Sequence, residues 1–107
     1  MASDEHWVRV ASLTEFGETR RLVREVNGVS ILFLRQGTGV TAVRNSCTHL
    51  GKPLEQGRVM AGRIFCPFHG ACFDLNTGEA VSGPAVTSLQ VYRTKIEGDE
   101  VFVSETA

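Results

Sequence analysis

The sequence predicts an all-β domain, an antiparallel sandwich or small barrel with a loop-rich insert at one end. Short runs rich in β-branched and aliphatic residues recur along the chain, and residues that favour turns bound most of them. No segment keeps a helical period of apolar residues for three turns. The stretch 45–85 interrupts this regular spacing, holds all three prolines and all three cysteines, and is therefore interpreted as a functional insert built from loops.

The elements outside the insert are predicted from alternation and from turn residues. We expect strands over 7–10, 19–26, 29–34 and 40–43, and a last hairpin from 89–96 and 101–103. Asn27-Gly28 suits a tight hairpin turn because both residues accept a positive φ. Ser12 and Glu15 have the spacing of a helix cap, which predicts one short helical turn at this point.

The strand predicted over 29–34 is apolar on both of its faces. Ile31 and Phe33 point to one side of a pleated strand, and Leu32 and Leu34 point to the other. A strand with one face in water would alternate apolar with polar residues. We therefore expect this strand to be central and covered on both faces.

Length and charge exclude several classes of function. A chain of 107 residues suits one domain with its own core. Eleven Lys and Arg against twelve Asp and Glu give a net charge of -1, so a nucleic-acid partner is not expected. The longest aliphatic or aromatic run, 31–34, is too short to cross a bilayer, and the acidic start has no signal-peptide pattern. We therefore expect a cytoplasmic protein without a membrane partner.

Cysteine and histidine carry the chemical information. Three cysteines are an odd number, which argues against a complete disulfide framework and fits a reducing compartment. Cys47 and His49 form a C-x-H pattern, and Cys66 and His69 form a C-x-x-H pattern after sixteen intervening residues. Each half offers one thiolate and one imidazole, which suits a binuclear iron centre with the thiolates on one iron and the imidazoles on the other. Cys72 is interpreted as a small buried apolar residue.

Two alternatives to the iron centre stay open on spacing alone. One is a single zinc ion, although structural zinc sites separate paired ligands by two to four intervening residues and the C-x-H half has only one. The other is a set of unrelated core cysteines and surface histidines. Four such residues in two matched loops favour the binuclear centre over both alternatives.

The segments 47–51 and 66–70 resemble the two cluster-binding boxes of Rieske 2Fe–2S proteins, and we name them the first box and the second box. The likeness covers nearly the whole chain, including the dipeptides Phe73-Asp74, Thr77-Gly78 and Gly83-Pro84. It implies the Rieske β fold in a single domain, 1–107, with a cluster-binding subdomain at about 45–85. Residues Gly83-Pro84 resemble the proline loop that covers the cluster in this family.

The resemblance also implies the cofactor and its ligands. One 2Fe–2S cluster is expected, with Cys47 and Cys66 on the inner iron and His49 and His69 on the outer iron near solvent. No residue of the chain is expected to be catalytic. Only His6 remains for a separate mononuclear iron site, and one histidine is too few for the two that such a site needs.

Departures from the family pattern indicate which kind of Rieske protein this is. In the proteins of quinol-oxidising complexes, each box carries a further cysteine and the two form a disulfide, but Lys52 and Phe68 stand at those positions here. Those proteins also carry serine and tyrosine hydroxyls at the positions of Ala71 and Phe73. The loss of two hydrogen-bond donors to the cluster implies a lower reduction potential.

These features resemble the soluble, low-potential ferredoxins of bacterial aromatic ring-hydroxylating dioxygenase systems. The resemblance implies a carrier that takes one electron from a flavoprotein NAD(P)H reductase and gives it to a terminal Rieske oxygenase. The expected docking surface lies at the tips of the boxes and comprises Leu50, Lys52, Pro53, Pro67 and Phe68. Two alternatives have the same fold: the small subunit of an assimilatory nitrite reductase, and a ferredoxin that serves another monooxygenase.

Overall fold

A computed structural model of the chain describes residues 6–48, 51–67, 70–82 and 87–104. Its elements in these ranges are β1 Trp7–Ser12, a 3-10 helix Leu13–Phe16, β2 Arg21–Val26, β3 Val29–Gln36, β4 Gly39–Arg44, β5 Arg58–Met60, β6 Arg63–Phe65, β7 Cys72–Asp74, β8 Ala80–Ser82, β9 Val91–Tyr92, β10 Thr94–Glu97 and β11 Glu100–Ser104. The predicted all-β class is confirmed, and so is the short helical turn. In the described part of the chain, no helix has the length and apolar character needed to cross a membrane.

The strands form three antiparallel sheets. The first base sheet has the order β1-β11-β10, the second base sheet β2-β3-β4-β9, and the site sheet β5-β6-β7-β8. Asn27 and Gly28 form the turn between β2 and β3 with φ of 51° and 80°, as the hairpin prediction requires. The strands of the site sheet are formed by residues 58–82, within the predicted insert 45–85.

Strand β3 separates two cores, which confirms that it is covered on both faces. Ile31 and Phe33 pack in one core, between the two base sheets. Leu32 and Leu34 pack in the other core, which also contains Cys47 and residues of the site sheet. The alternating side chains of β3 therefore contribute both to the core between the base sheets and to the core next to the boxes.

The structure corrects two details of the prediction. Residues predicted as one strand over 89–96 form two strands, with Arg93 between them. Strand β9 pairs with β4 and β10 pairs with β11, so the chain passes from one base sheet to the other at Arg93. The insert, interpreted as loops, contains the four strands of the site sheet. Each of these is three residues long, which is too short for alternation to be recognised in the sequence.

Candidate metal centre

The first box is a tight loop closed by two backbone hydrogen bonds. The N–H of Cys47 donates to the carbonyl of Lys52 over 2.7 Å, and the N–H of Gly51 donates back to the carbonyl of Cys47 over 2.7 Å. Gly51 has a φ of 74°, in the left-handed region that glycine adopts without steric cost. The loop therefore returns the chain to its starting point within six residues.

The second box repeats this geometry. The N–H of Cys66 donates to the carbonyl of Ala71 over 2.7 Å, and the N–H of Gly70 donates to the carbonyl of Cys66 over 3.0 Å. Gly70 has a φ of 76°, close to the value in the first box. The spacing of cysteine, glycine and closing carbonyl is the same in both boxes, although histidine stands at the third position of one and the fourth of the other. Two matched loops, each headed by a cysteine, are what the binuclear prediction requires.

Both box cysteines are buried in one apolar core. Cys47 is 1% exposed and Cys66 is 3% exposed, and neither is in a disulfide. Their neighbours in this core include Leu32, Leu34, Val43, Leu54, Ile64, Ala71, Phe73, Leu75 and Leu89. Two thiols at the heads of matched loops, with apolar packing around them, form a donor set that fits the inner iron of a 2Fe–2S cluster.

The other predicted ligands, His49 and His69, lie outside the described residues. The same holds for Leu50 and Phe68 of the predicted docking surface and for Gly83-Pro84. In the described ranges, no three His, Cys, Asp or Glu side chains come together as a metal site. Of the predicted ligands, the described chain therefore contains the two cysteines.

Two contacts hold the segment that follows residues 83–86, and sequence reasoning did not predict either of them. The hydroxyl of Thr48 donates to the carbonyl of Thr87 over 2.7 Å. The N–H of Leu89 donates to the carbonyl of Gly78 over 2.6 Å. A Cβ at Gly78 would overlap the carbonyl oxygen of Leu89, so glycine is required there. The resemblance had marked Thr77-Gly78, but a contact with a residue far along the chain leaves no local pattern.

Asp74 shapes the turn that presents Gly78. One carboxylate oxygen of Asp74 accepts the backbone N–H of Asn76 over 2.8 Å and that of Thr77 over 3.0 Å. These two bonds lower the pKa of Asp74 below its ordinary value, and the bond from Thr77 has the larger effect. The carbonyl of Asp74 also accepts the N–H of Gly78 over 2.7 Å. The turn is therefore held by the side chain and the backbone carbonyl of Asp74, in addition to its contact with Leu89.

Cys72 is buried, as predicted, with 1% of its surface exposed. It lies on β7 between its strand partners Phe65 and Ser82. Cys72 is not among the residues of the core that contains Cys47, Cys66 and its own neighbour Phe73. Cys72 therefore packs outside the core of the two predicted cysteine ligands.

Comparison with known proteins decides the family. The sequence matches the Rieske [2Fe-2S] domain over residues 6–93. The chain belongs to the Rieske family. It therefore takes one Rieske-type 2Fe–2S cluster, and this agrees with the two matched boxes and their buried cysteines.

Relatives of similar length to this Rieske chain are ferredoxins. Ferredoxin CarAc of Metapseudomonas resinovorans is 30% identical over 99 residues, with 92% of each chain covered. The ferredoxin component of the naphthalene 1,2-dioxygenase system of Pseudomonas aeruginosa is also 30% identical, with 92% of this chain and 95% of that one covered. Human apoptosis-inducing factor 3 is 35% identical over 89 residues, but this chain spans only 14% of its length.

Solved structures give the same picture. The ferredoxin of carbazole 1,9a-dioxygenase from Nocardioides aromaticivorans superposes with a TM-score of 0.84 and 31% identity, covering 91% of this chain and 95% of that one. A complex of reduced oxygenase and oxidized ferredoxin in carbazole 1,9a-dioxygenase contains a chain with a TM-score of 0.82 and 27% identity, with 92% of each covered. The Rieske β fold implied by the sequence is thus confirmed.

Proposed function

We propose that this protein is the ferredoxin of a bacterial aromatic ring-hydroxylating dioxygenase system. It carries one electron from a flavoprotein NAD(P)H reductase to the terminal Rieske oxygenase and catalyses no reaction alone. The observation that carries this proposal is coverage: two dioxygenase ferredoxins match this chain over nine-tenths or more of both lengths. Such a match supports the role of an electron carrier for the domain 1–107.

We propose that Cys47 and Cys66 hold the inner iron and that His49 and His69 hold the outer iron. When bound, the cluster supplies a one-electron redox couple. The residues of the chain position and shield it. The backbone hydrogen bonds within each box fix the two cysteines, and the apolar core around them keeps water from the thiolates.

The surroundings of the cysteines support a low reduction potential. Ala71 and Phe73 are fully buried in the same core as Cys47 and Cys66, and neither side chain can donate a hydrogen bond. Reduction adds negative charge, which an apolar environment without donors disfavours. The two positions that lack hydroxyl donors are therefore also positions that water does not reach.

The docking surface is proposed at the tips of the two boxes. Lys52 and Pro53, directly after the first box, and Pro67 in the second box are exposed. With Leu50 and Phe68 they would form a small contact surface around the histidine ligands, as suits a transient redox encounter. A neighbouring structure contains an oxygenase in complex with its ferredoxin, which supports the oxygenase as the partner. No nucleic acid and no membrane is part of the proposal.

The proposed location is the cytoplasm. None of the three cysteines is in a disulfide, although all three are buried in the folded chain. Reduced cysteines and a metal-binding role are typical of a reducing compartment. A cytoplasmic carrier would also have direct access to a nicotinamide-dependent reductase.

Reconstitution tests the function directly. The purified holoprotein would be reduced with NADH and the reductase of the carbazole or naphthalene system, then mixed with the matching oxidised oxygenase in a stopped-flow instrument. We expect reoxidation of the ferredoxin, and hydroxylated product only when all three components are present. Lys52→Glu should slow the second-order step at low salt, whereas Arg20→Glu, the same charge change in the turn before β2, should not.

Other results of these experiments would contradict the proposed function or its docking surface. A holoprotein that is reduced but never reoxidised by either oxygenase would contradict the proposal. Isolation of a stable complex with a large sirohaem subunit would favour the nitrite reductase alternative instead. Equal effects of Lys52→Glu and Arg20→Glu would place the docking surface elsewhere.

A further inference from the structure

The two boxes are matched inside but are closed differently at their bases. In the second box, Phe65 and Cys72 lie just outside the bond between Cys66 and Ala71, and they are paired partners on β6 and β7. A hairpin of two paired strands therefore carries this box. Among the described residues, the first box has no such strand pair, because β4 ends at Arg44 and pairs with β3 and β9, whereas β5 pairs with β6.

Proline accounts for part of this difference. The residue after Lys52 is Pro53, which has no N–H to donate across the base of the loop. The next backbone N–H belongs to Leu54. It donates to the side-chain oxygen of Asn45 over 2.8 Å. A side chain thus stands at the base of the first box, where the second box has a strand pair.

Asn45 is buried, with 9% of its surface exposed, and both the oxygen and the nitrogen of its side-chain amide form hydrogen bonds. Its nitrogen donates to a carboxylate oxygen of Glu55 over 2.9 Å and to the hydroxyl of Ser30 over 3.3 Å. Its backbone N–H donates to the carbonyl of Ser30 over 2.9 Å. One side chain therefore connects the start of the first box, the end of the box and strand β3. A buried polar network of this kind specifies one geometry when all its members are bonded.

The segment that Asn45 holds is itself fixed from the base of the molecule. One guanidinium nitrogen of Arg21, on β2, donates to the carbonyls of Glu55 and Gly57, each over 2.7 Å. The N–H of Gly57 donates to the carbonyl of Leu54 over 2.7 Å, closing a turn. A Cβ at Gly57 would overlap the carbonyl oxygen of Phe65, so this turn packs directly on β6. Asn45 thus ties the first box to a segment that is hydrogen-bonded to β2 and packed on β6.

We propose that Asn45 is a positioning residue: it closes the first box in place of a strand pair, and so sets where Cys47 and His49 are held relative to the second box. The proposal rests on the ligand assignment given under the proposed function. Asn45 lies two residues before the predicted ligand Cys47, at a position that is not part of the box pattern. Without this closure, the ends of the box would move apart more freely and the cluster would be held less firmly.

An exchange of hydrogen-bond direction tests this inference. Asn45→Asp keeps the size of the side chain and the acceptor for Leu54, but it sets two carboxylates against each other at Glu55. Glu55→Gln alone keeps an acceptor for Asn45. In the double variant Asn45→Asp/Glu55→Gln, the new amide can donate to the new carboxylate, and the total charge equals that of the wild type. Asn76→Asp, the same change at an exposed turn residue, is the matched control.

The readouts are the half-life of the cluster absorbance in excess chelator and the width of the EPR lines of the reduced holoprotein. We expect Asn45→Asp to shorten the half-life about tenfold, equivalent to about 1.4 kcal/mol, and to broaden the EPR lines. Glu55→Gln and Asn76→Asp should stay within about twofold of the wild type, an equivalent of less than half that energy. The double variant should recover both the wild-type half-life and the wild-type line width.

Two results would overturn the inference. One is an Asn45→Asp protein with the half-life and line width of the wild type. The other is a double variant that fails to recover what Asn45→Asp loses, including recovery of folding if the single variant does not fold. Either result leaves electron transfer by the wild type untouched. Failure of the wild type to pass electrons to an oxygenase would instead contradict the proposed function and not the role of Asn45.

Discussion

The hydroxyl of Thr48 donates a hydrogen bond of 2.7 Å to the backbone carbonyl of Thr87, 39 residues further along the chain. Thr48 lies between the two predicted ligands of the first box, and Thr87 directly follows residues 83–86. These residues include Gly83-Pro84, which resemble the proline loop of the family. The bond therefore joins the first box to the end of the segment proposed to cover the cluster.

Replacement of Thr48 by valine should weaken this joint. Valine keeps the shape of threonine but cannot donate, which leaves the carbonyl of Thr87 to solvent and removes about 1 kcal/mol of stability. Thr48→Ser keeps the hydroxyl and is the control. Urea unfolding of the holoprotein measures the difference, with the valine variant less stable than the serine variant. A serine variant as unstable as the valine variant would show that packing and not the hydrogen bond matters.

Gly78→Ala should be much more damaging than an ordinary glycine substitution. Gly78 has a φ of 81°, and a Cβ there would overlap the carbonyl of Leu89, so both backbone strain and a steric clash result. We expect a loss of about 3 kcal/mol or more in the free energy of unfolding. Gly98→Ala is the control, because its φ is 62° but no atom lies within 4 Å of the added Cβ. Equal stability of the two variants would contradict the contact with Leu89.

Local patterns in the sequence were enough to predict the base of the fold. Asn27-Gly28 predicted a hairpin turn, and the run around Leu32, which is apolar on both faces, predicted the central strand. Both signals depend only on neighbours in the chain. The cysteines of the boxes were found for the same reason, since their spacing to histidine is local. The histidines themselves lie outside the described residues, and the ligand roles of all four residues stay predictions.

Features that depend on distant contacts could not be predicted. The strands of the site sheet are three residues long and are stabilised by their pairing and packing. Asn45 carries no signal of its role, because its partners Leu54 and Glu55 are brought near by the fold. The requirement for glycine at position 78 likewise arises from Leu89. Each of these residues has an ordinary local sequence and a specific tertiary partner.

Cys72 should be dispensable for the cluster, in contrast to Cys66. Cys72 lies outside the core that contains the box cysteines, so Cys72→Ser should keep its iron and sulfide. A buried hydroxyl that replaces the thiol is expected to cost about 1–3 kcal/mol of stability. Cys66→Ser should lose the cluster. Iron and sulfide analysis of both purified variants decides this, and full loss from Cys72→Ser would make it a ligand or a residue required for assembly.

Hydroxyl donors at positions 71 and 73 should raise the reduction potential. Ala71 and Phe73 are fully buried beside the box cysteines, where a donor to sulfur would favour the more negative, reduced state. We expect Ala71→Ser with Phe73→Tyr to raise the midpoint by about 50–100 mV, since part of each bond is also gained in the oxidised state. Voltammetry measures the shift. An unchanged midpoint, with both bonds present in a crystal structure, would separate the missing donors from the low potential.

The ligand set of the cluster is tested most directly by pulsed EPR on the dithionite-reduced protein labelled with ¹⁵N-histidine. If Cys47, Cys66, His49 and His69 hold one 2Fe–2S cluster, the unpaired electron couples to two histidine nitrogens. His49→Ala and His69→Ala should each abolish that two-nitrogen spectrum, whereas His6→Ala should retain it. A reduced cluster without directly coupled histidine nitrogen, or a colourless protein that holds zinc instead, would contradict the assignment of this site.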